Sequence, residues 1–330
     1  MDSETENQKY LLNQTVDKKK MSKFKRLNII SPISRGWSTA ILIERAGNQF
    51  GLDTQIFYYS RDITTKGVFP ALGAIRGRKA ITLLLKGDGL SDSYLKQLPR
   101  PLICWNFDFE REPDYLFVRD TFDLYLTICP FFVTQSNMRW LPQGTDPSIF
   151  FPIKEQKKLY DISFIGSPKA PRRLIINFLK TYLPDLKIKI WGEGWDNELI
   201  KSAYYKNFNL AVAQSKICLA INRYDNIPCY ESTFSQRLYM LAACGGFILA
   251  ENIPGIDQFF KINPPEEAEV IAWDNLKELT TLIQYLQPNL QNDQQEAFRE
   301  KMGKRARKRI LKEHTYAHRL EQIIEWAKEL

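Results

Sequence analysis

The sequence predicts an α/β protein made of two Rossmann-like, doubly wound domains that face a cleft. Short, wholly apolar segments alternate with segments of helical periodicity, which is typical of parallel sheets covered on both faces. A chain of 330 residues is long enough to bury two hydrophobic cores. The proline-rich segment 141–152 has neither strand nor helix periodicity. We therefore place the domain boundary within it, between domains 27–146 and 147–330.

Residues 1–26 are polar and charged, and we expect them to form a disordered basic lead. The net charge of +8 is concentrated there and in 299–312. Such basic ends are either solvated faces or attract an acidic surface, such as a membrane or a nucleic acid.

The composition predicts a cytoplasmic protein without a metal site. There is no run of eighteen apolar residues and no apolar signal core near the start. The five cysteines lack Cys-x-x-Cys spacing, which indicates buried free thiols. The two histidines, His314 and His318, lie near the end of the chain, and zinc ligation is therefore not expected.

The first domain opens with a strand at 27–31, a turn that contains Gly36, and a helix that begins near Ser38. This is half of a Rossmann-like unit, and Gly36 is a candidate ligand-binding residue. Further strands are predicted at 55–59, 81–85, 102–107 and 124–128.

The fourth strand of this domain runs into a group of carboxylates beside aromatic side chains. Asp108 and Glu110 follow Trp105 where the strand meets its loop. A carboxylate at the end of this strand can act as a general base and take a proton from the hydroxyl group of a bound substrate. The alternative is a turn or capping cluster ahead of Pro113.

The second domain begins with a strand and a turn that contains Gly166 and Ser167, followed by a helix with Arg172 and Arg173 in its first turn. Glycine lets a diphosphate approach the backbone, and arginine can bind it through two hydrogen bonds. The alternative is a pair of exposed arginines.

The next strand ends in a glycine turn flanked by two tryptophans. Trp191 and Gly192 come first, and Trp195 follows. A tryptophan there either stacks on a nucleotide base or packs into the core.

The central unit of this domain is the strand 217–221, the loop 222–232, a helix and the strand 247–250. Thr233 and Gln236 have the spacing of a capping box. The loop lies at the carboxyl end of the sheet, where open α/β sheets bind ligands, and a helix amino terminus facing it favours phosphate.

The segments Asn222-Arg223, 237–240 and 242–249 resemble the signature of bacterial glycosyltransferases related to the spore-maturation protein CgeB (glycosyl transferases group 1). This resemblance implies the GT-B fold and a nucleotide-diphosphate sugar as donor substrate, with no separate cofactor. The sequence has no acidic metal motif in the expected place, so we expect arginines and the helix amino terminus to meet the phosphate charge without a metal. The glutamate that holds the donor ribose in related enzymes falls on Met240. The earlier, sugar-contacting glutamate falls on Ser232, beside Glu231.

The resemblance also implies roles for single residues. The family carries an Asp after a Trp on the fourth strand, which favours Asp108 over Glu110 as catalytic base, and its last helix packs on the first domain. The predicted ligand-binding residues are Gly36, whose turn faces the cleft in the family and often lies on the acceptor side, together with Gly166, Ser167, Arg172, Arg173, Trp191, Gly192, Asn222, Arg223, Glu231, Arg237 and Gly245.

The sequence therefore predicts a metal-independent glycosyltransferase with an unidentified acceptor, which can be protein, glycan, lipid or modified nucleic acid. One alternative is a non-catalytic protein of the same fold that binds a sugar nucleotide or an acidic polymer. The other is a sugar-nucleotide epimerase, which would need an acid/base constellation across the cleft.

Overall fold

The computed structural model describes residues 23–32, 38–59, 70–87, 89–107, 119–195, 206–222, 232–290 and 292–330. These residues form two compact units. The C-terminal unit contains Gly144–Thr315, and the N-terminal unit contains the described residues up to Gln143 together with Tyr316–Leu330. The division thus lies three residues before the predicted boundary, and the last helix belongs to the N-terminal unit.

Each unit contains one parallel sheet. The N-terminal strands are β1 (Arg26–Ser31), β2 (Asp53–Tyr58), β3 (Ala80–Leu85), β4 (Leu102–Asn106), β5 (Leu124–Thr127) and β6 (Met138–Trp140). The C-terminal strands are β7 (Tyr160–Ile165), β8 (Ile188–Trp191), β9 (Ser215–Ala220), β10 (Ile248–Glu251) and β11 (Ile271–Trp273).

The helices of the described residues flank these sheets. They are α1 (Thr39–Gln49), α2 (Asp92–Leu95), α3 (Ala170–Tyr182), α4 (Lys206–Ala213), α5 (Gln236–Ala243), α6 (Leu276–Leu286), α7 (Asp293–Glu313) and α8 (Tyr316–Glu329). Short 3-10 helices cover Leu72–Ala74, Arg119–Thr121, Pro130–Phe132, Ile256–Gln258 and Gln287–Asn289.

The two sheets share one topology. The strand orders are β2-β1-β3-β4-β5-β6 and β8-β7-β9-β10-β11, and all pairings are parallel. In both, the chain reverses its direction of winding beside the first strand, which creates a topological switch point between β1 and β3 and another between β7 and β9. The predicted class, an α/β fold with two Rossmann-like doubly wound domains, is confirmed.

Apolar faces hold the helices on the sheets. In the C-terminal unit, Ile175, Ile176 and Leu179 of α3 share a core with Leu279 and Ile283 of α6. Burying each such side chain stabilises the fold by about 1.5–3 kcal/mol.

The terminal helix α8 packs against α1 in the N-terminal unit. Its first residue, Tyr316, meets the buried Trp105 of β4 edge to face at 6.0 Å. Arg319 donates to the Gln143 carbonyl at 3.2 Å. These contacts explain why α8 belongs with the N-terminal sheet although it comes last in the sequence.

The C-terminal end of α5 is joined to α7 through close backbone contact. Gly245 follows α5 with a φ of +71°, and a Cβ on Gly303 of α7 would lie 2.1 Å from its carbonyl oxygen. The two helices therefore approach each other only because residue 303 has no side chain.

We predict that Gly303→Ala destabilises the protein by about 1–3 kcal/mol, because overpacked backbone cannot yield cheaply. In a solvent-exposed helix, replacing glycine by alanine stabilises the protein by about 1 kcal/mol. A loss of stability in Gly303→Ala therefore indicates the close helix contact. Urea unfolding measures it. The control is Gly73→Ala, where a Cβ meets no atom within 4 Å. Equal stability of the two variants would contradict the close helix contact.

Candidate functional site

The candidate site lies at the carboxyl ends of β7 and β9, the switch point of the C-terminal sheet. A pocket opens there beside the start of α5. Its lining residues are Ala220, Ile221, Asn222, Phe234, Ser235, Arg237, Leu238, Ala250, Glu251 and Ile253.

Gly166, directly after β7, lets an arginine lie on its backbone. Its φ is +155°, and its N–H donates to the Trp191 carbonyl at 2.7 Å. A Cβ at this position would lie 2.5 Å from Nη2 of Arg237 and 2.7 Å from its Cζ. The predicted residues Gly166 and Arg237 are therefore in contact, and any side chain at 166 would displace the guanidinium.

Arg237 is the second residue of α5 and has an unused donor. Its Nη1 is enclosed and has no hydrogen-bond partner among the described residues. Its Cζ lies 5.5 Å from the centroid of the Phe164 ring. Within the described part of the chain, no carboxylate forms an ion pair with it. An enclosed cationic donor of this kind is complementary to an anion.

A second guanidinium, that of Arg172 on α3, lies on the same aromatic ring. Its Cζ is 5.7 Å from the Phe164 centroid, and its Nε donates to the carbonyls of Ile221 and Asn222 at 3.3 Å each. Its Nη1 donates to the Ser167 carbonyl at 3.4 Å. The predicted residues Arg172 and Ser167 thus join Gly166 and Arg237 in one place.

The guanidinium groups of Arg172 and Arg237 repel each other, so their arrangement is electrostatically unfavourable unless a negative charge is bound beside them. Burial, and then the charge of Arg172, hold the pKa of the Arg237 guanidinium well below its ordinary value. A bound anion would offset both costs. The amino terminus of α5 adds partial positive charge on the same side.

Asn222 ties the end of β9 to the start of α5. Its side-chain Nδ2 donates to the Thr233 carbonyl at 2.9 Å, and its Oδ1 accepts the Ser235 N–H at 3.1 Å. The predicted capping box of Thr233 and Gln236 is wrong, because α5 begins at Gln236 with Ser235 as its N-cap. Asn222 provides the link in its place and positions Arg237.

Glu251, the last residue of β10, lines the pocket and was missed by the sequence analysis. Its Oε2 accepts the Asn222 N–H at 2.9 Å. The available signal was an acidic residue ending an apolar strand. The predicted unit contained both strands but ended the second at residue 250. In the structure β10 extends to Glu251, and its pairing with β9 brings Glu251 beside Asn222.

Arg173 and Trp195 lie on the outer side of the glycine turn. The Trp195 indole donates to the Gly166 carbonyl at 2.8 Å and meets Phe164 edge to face at 6.0 Å. Arg173 lies over Trp195 at 5.7 Å and donates to the Gly194 carbonyl at 3.3 Å. Arg173 therefore supports the turn, while Arg172 belongs to the buried pair.

Gly192 packs on the glycine turn, but Trp191 does not face the arginines. A Cβ on Gly192 would lie 2.3 Å from the Gly166 carbonyl oxygen. Trp191 pairs with Ile165 on β7, so side-chain alternation places it on the sheet face opposite Phe164. Its ring meets that of Tyr160 edge to face at 6.4 Å. Trp195 is the tryptophan next to the candidate site.

Gly245 lies at the far end of α5 from Arg237, about 12 Å along the helix axis. Its contacts with α7, described above, give it a place in helix packing and not in the pocket.

Five predicted site residues lie outside the described residues: Gly36, Asp108, Glu110, Arg223 and Glu231. The strand leading to the predicted base is described as far as Phe107. Asn106 is buried and donates to the Tyr125 hydroxyl at 3.2 Å, and the Phe107 ring lies 5.1 Å from Nζ of Lys86.

Among the described residues, no group of three or more His, Cys, Asp or Glu side chains is placed to hold a metal ion. The helices described above include none with the length and apolarity needed to span a membrane.

Comparison with known proteins extends these observations. Residues 172–325 match the model of a family described as glycosyl transferase-like. The match begins at Arg172 and includes Asn222, Arg237 and Glu251. No curated protein matches the sequence.

Solved structures resemble the whole chain at low identity. A sucrose-phosphate synthase from Thermosynechococcus elongatus aligns with a TM-score of 0.60 and 12% identity, over 92% of this chain and 98% of that one. A glycosyltransferase from Rickettsia africae gives 0.56 and 13%, over 92% and 98%. HepE from Anabaena, solved with UDP and glucose, gives 0.57 and 9%, over 93% and 100%. The chain therefore has the two-domain GT-B fold, and the half that carries the arginine pair matches a glycosyl transferase-like family model.

Proposed function

We propose that this protein is a glycosyltransferase that takes a sugar from a nucleotide-diphosphate donor. The observation that carries the proposal concerns Nη1 of Arg237. This atom is enclosed, has no hydrogen-bond partner among the described residues, and lies beside Arg172 at the switch point of the C-terminal sheet. The family match over residues 172–325 and the UDP and glucose bound by the structural neighbour HepE support it.

A diphosphate suits the site better than a single carboxylate. Two guanidinium groups and the first amides of α5 offer more positive charge and more donors than one carboxylate can use. In the proposed reaction, the bond between the sugar and the diphosphate breaks, and negative charge develops on the leaving oxygen. Arg237 and Arg172 stabilise that charge, which is the role that a metal ion has in other enzymes. The reaction is thus proposed to be metal-independent.

Glu251 is proposed to accept a hydroxyl hydrogen bond from the donor. The glutamate that holds the ribose in related enzymes falls on Met240, whose thioether is at best a weak acceptor. A carboxylate in the pocket wall supplies the missing acceptor capacity from β10.

The acceptor is proposed to be deprotonated by Asp108, with Glu110 as the reserve. Asp108 follows a buried strand that ends at the ligand-binding edge of the N-terminal sheet. The acceptor can be protein, glycan, lipid or modified nucleic acid.

A non-catalytic binding protein of the same fold is the second candidate, and Met240 is the residue that favours it. Release of free nucleoside diphosphate from a sugar nucleotide separates the two, because binding alone releases none.

The basic segment near the C-terminal end, 299–312, is also proposed to contact an acidic surface. Arg305, Arg307 and Arg309 of this end are bonded within the protein, to Ala268, Ala243 and Glu269. The exposed lysines of α7, which lie along one side of the helix, are Lys301, Lys304, Lys308 and Lys312.

We predict that Arg237→Met weakens binding of the nucleoside diphosphate by about 1.5–3 kcal/mol, or roughly ten- to a hundredfold, because a charge-assisted contact is lost. Calorimetry with UDP, GDP and dTDP identifies the nucleotide and measures the loss. Arg173→Met is the matched control, since Arg173 bonds Gly194, and it should change affinity by less than about threefold. Unchanged affinity of Arg237→Met would remove Arg237 from the site.

We predict that Met240→Glu leaves donor affinity equal or improves it, because a carboxylate adds acceptors for two hydroxyl groups. The same calorimetric titration measures this. If affinity falls more than about tenfold, the pocket uses Met240 as an apolar contact.

We predict that Asp108→Asn keeps donor binding and lowers turnover by about 10²–10⁴-fold, the usual contribution of a positioned general base. Turnover is measured as nucleoside diphosphate released per enzyme in the presence of acceptor. Glu110→Gln is the comparison and should retain most activity. Near-normal turnover of Asp108→Asn would transfer the assignment away from this residue.

A further inference from the structure

Basic residues from two distant segments meet at the amino edge of the N-terminal sheet, where the parallel neighbours β1 and β3 both begin. The N–H groups of Lys25 and Arg26 donate to the Lys79 carbonyl at 2.8 and 3.2 Å. Nδ2 of Asn28 donates to the Arg76 carbonyl at 2.9 Å. These bonds hold the turn that precedes β3 beside the start of β1, although the two segments are far apart in the sequence.

Four exposed cationic side chains at this edge form a basic patch, which consists of Lys25, Arg76, Arg78 and Lys79. Across the described ranges of the chain, none of these four side chains forms an ion pair or a hydrogen bond. The carboxylate of Asp53, whose N–H donates to the Lys25 carbonyl, accepts from Nε of Arg26 at 2.8 Å. Lys23 is not counted in the patch, because its Nζ donates to the Lys328 carbonyl at 2.9 Å.

The basic patch is unfavourable for folding by itself. Lys79 has a left-handed backbone conformation, with a φ of +52°. Glycine adopts this conformation without strain, whereas a lysine does not. Like charges on neighbouring residues also repel each other. Both features are understandable if a partner supplies negative charge at this edge.

The side chains around the patch indicate which polyanion it fits. The segments 23–26 and 76–79 expose no large apolar or aromatic side chain. Stable binding to an anionic bilayer needs a second signal besides charge, such as an inserted apolar group. Single-stranded nucleic acid is bound largely by stacking of its bases on aromatic side chains. A second copy of this chain would bring the same cations together.

A nucleic-acid duplex needs neither apolar nor aromatic contacts. It carries one negative charge about every 1.7 Å along its axis, and cations bind it by releasing condensed counterions. Arginine matches phosphate through two hydrogen bonds, and the patch contains Arg76 and Arg78. The net charge of the chain, +8, favours the approach of the same polyanion.

We propose that the basic patch binds the phosphate backbone of a nucleic-acid duplex, irrespective of base sequence. This inference does not depend on the proposed glycosyl transfer. Strand β1 has six residues, so the patch lies roughly 20 Å from the carboxyl edge of the sheet, where ligands bind in such folds. A duplex bound at the amino edge therefore leaves the carboxyl edge open.

The test is fluorescence anisotropy with two labelled DNA duplexes of unrelated sequence. Four phosphate contacts should make the affinity fall roughly a hundredfold between 50 and 200 mM salt, and both duplexes should bind within about threefold of each other. In the double variant Arg76→Gln/Arg78→Gln, two contacts remain, and the same change of salt should lower the affinity only roughly tenfold. Both residues are exposed, so the fold should be retained, which thermal unfolding checks.

The matched control removes the same charge from the C-terminal unit. Lys157 and Lys277 are exposed there, and Lys157→Gln/Lys277→Gln should keep the affinity and salt dependence of the wild-type protein. Equal losses in this control and in the arginine variant would mean that net charge alone drives binding, which contradicts a defined patch.

Three further results would overturn the proposal. The first is no binding of the wild-type protein to either duplex at 50 mM salt. The second is wild-type affinity and salt dependence in Arg76→Gln/Arg78→Gln, including the case in which Lys301→Gln/Lys308→Gln on α7 causes the loss instead. The third is binding to phosphatidylglycerol vesicles that the arginine variant loses and that the duplex does not compete, which would assign the patch to a membrane.

Discussion

The C-terminal unit is organised around the enclosed guanidinium of Arg237, which has no carboxylate partner in the part of the chain that the structure describes. Arg237 and Arg172 both lie over the Phe164 ring, and burial together with the charge of Arg172 makes the charge of Arg237 costly. Several neighbouring features exist to hold this arrangement. Gly166 has no side chain because the Arg237 guanidinium lies where a Cβ would be. Asn222 fixes the start of α5, and the Trp195 indole bonds the Gly166 carbonyl from the other side.

Such an arrangement is unfavourable for stability but useful for binding. When an anion binds to a cation that is already desolvated and oriented, little further free energy is needed to reorganise the site. Such a cation also stabilises negative charge more strongly than a solvated one does. Nη1 of Arg237, which no described side chain or carbonyl accepts from, is thus understandable as a donor reserved for a ligand. The same reasoning explains why Arg173, one residue from Arg172, has a different role: it faces outward and bonds Gly194.

Much of the fold was predictable because wholly apolar strands and amphipathic helices are local patterns. The sites were harder, because they depend on which strands become neighbours. The sequence indicated Gly166 and Arg172 through turn and helix-start signals, and Asn222 and Arg237 through the segments that resemble a glycosyltransferase signature. It did not distinguish Trp191 from Trp195, since side-chain alternation across β8 decides which one faces Phe164. It missed Glu251, whose place depends on the pairing of β10 with β9. It placed Gly245 in the site, although contact with Gly303 from a distant helix explains that glycine.

In the proposed function, a diphosphate accepts the hydrogen bond that the enclosed Nη1 of Arg237 can donate. The most direct test is a crystal structure of the protein with the nucleoside diphosphate that it binds best. We expect a phosphate oxygen within hydrogen-bonding distance, about 2.7–3.2 Å, of Arg237 Nη1, with Arg172 bound to the same diphosphate. A nucleotide bound elsewhere, with that donor still unpaired, would contradict this expectation.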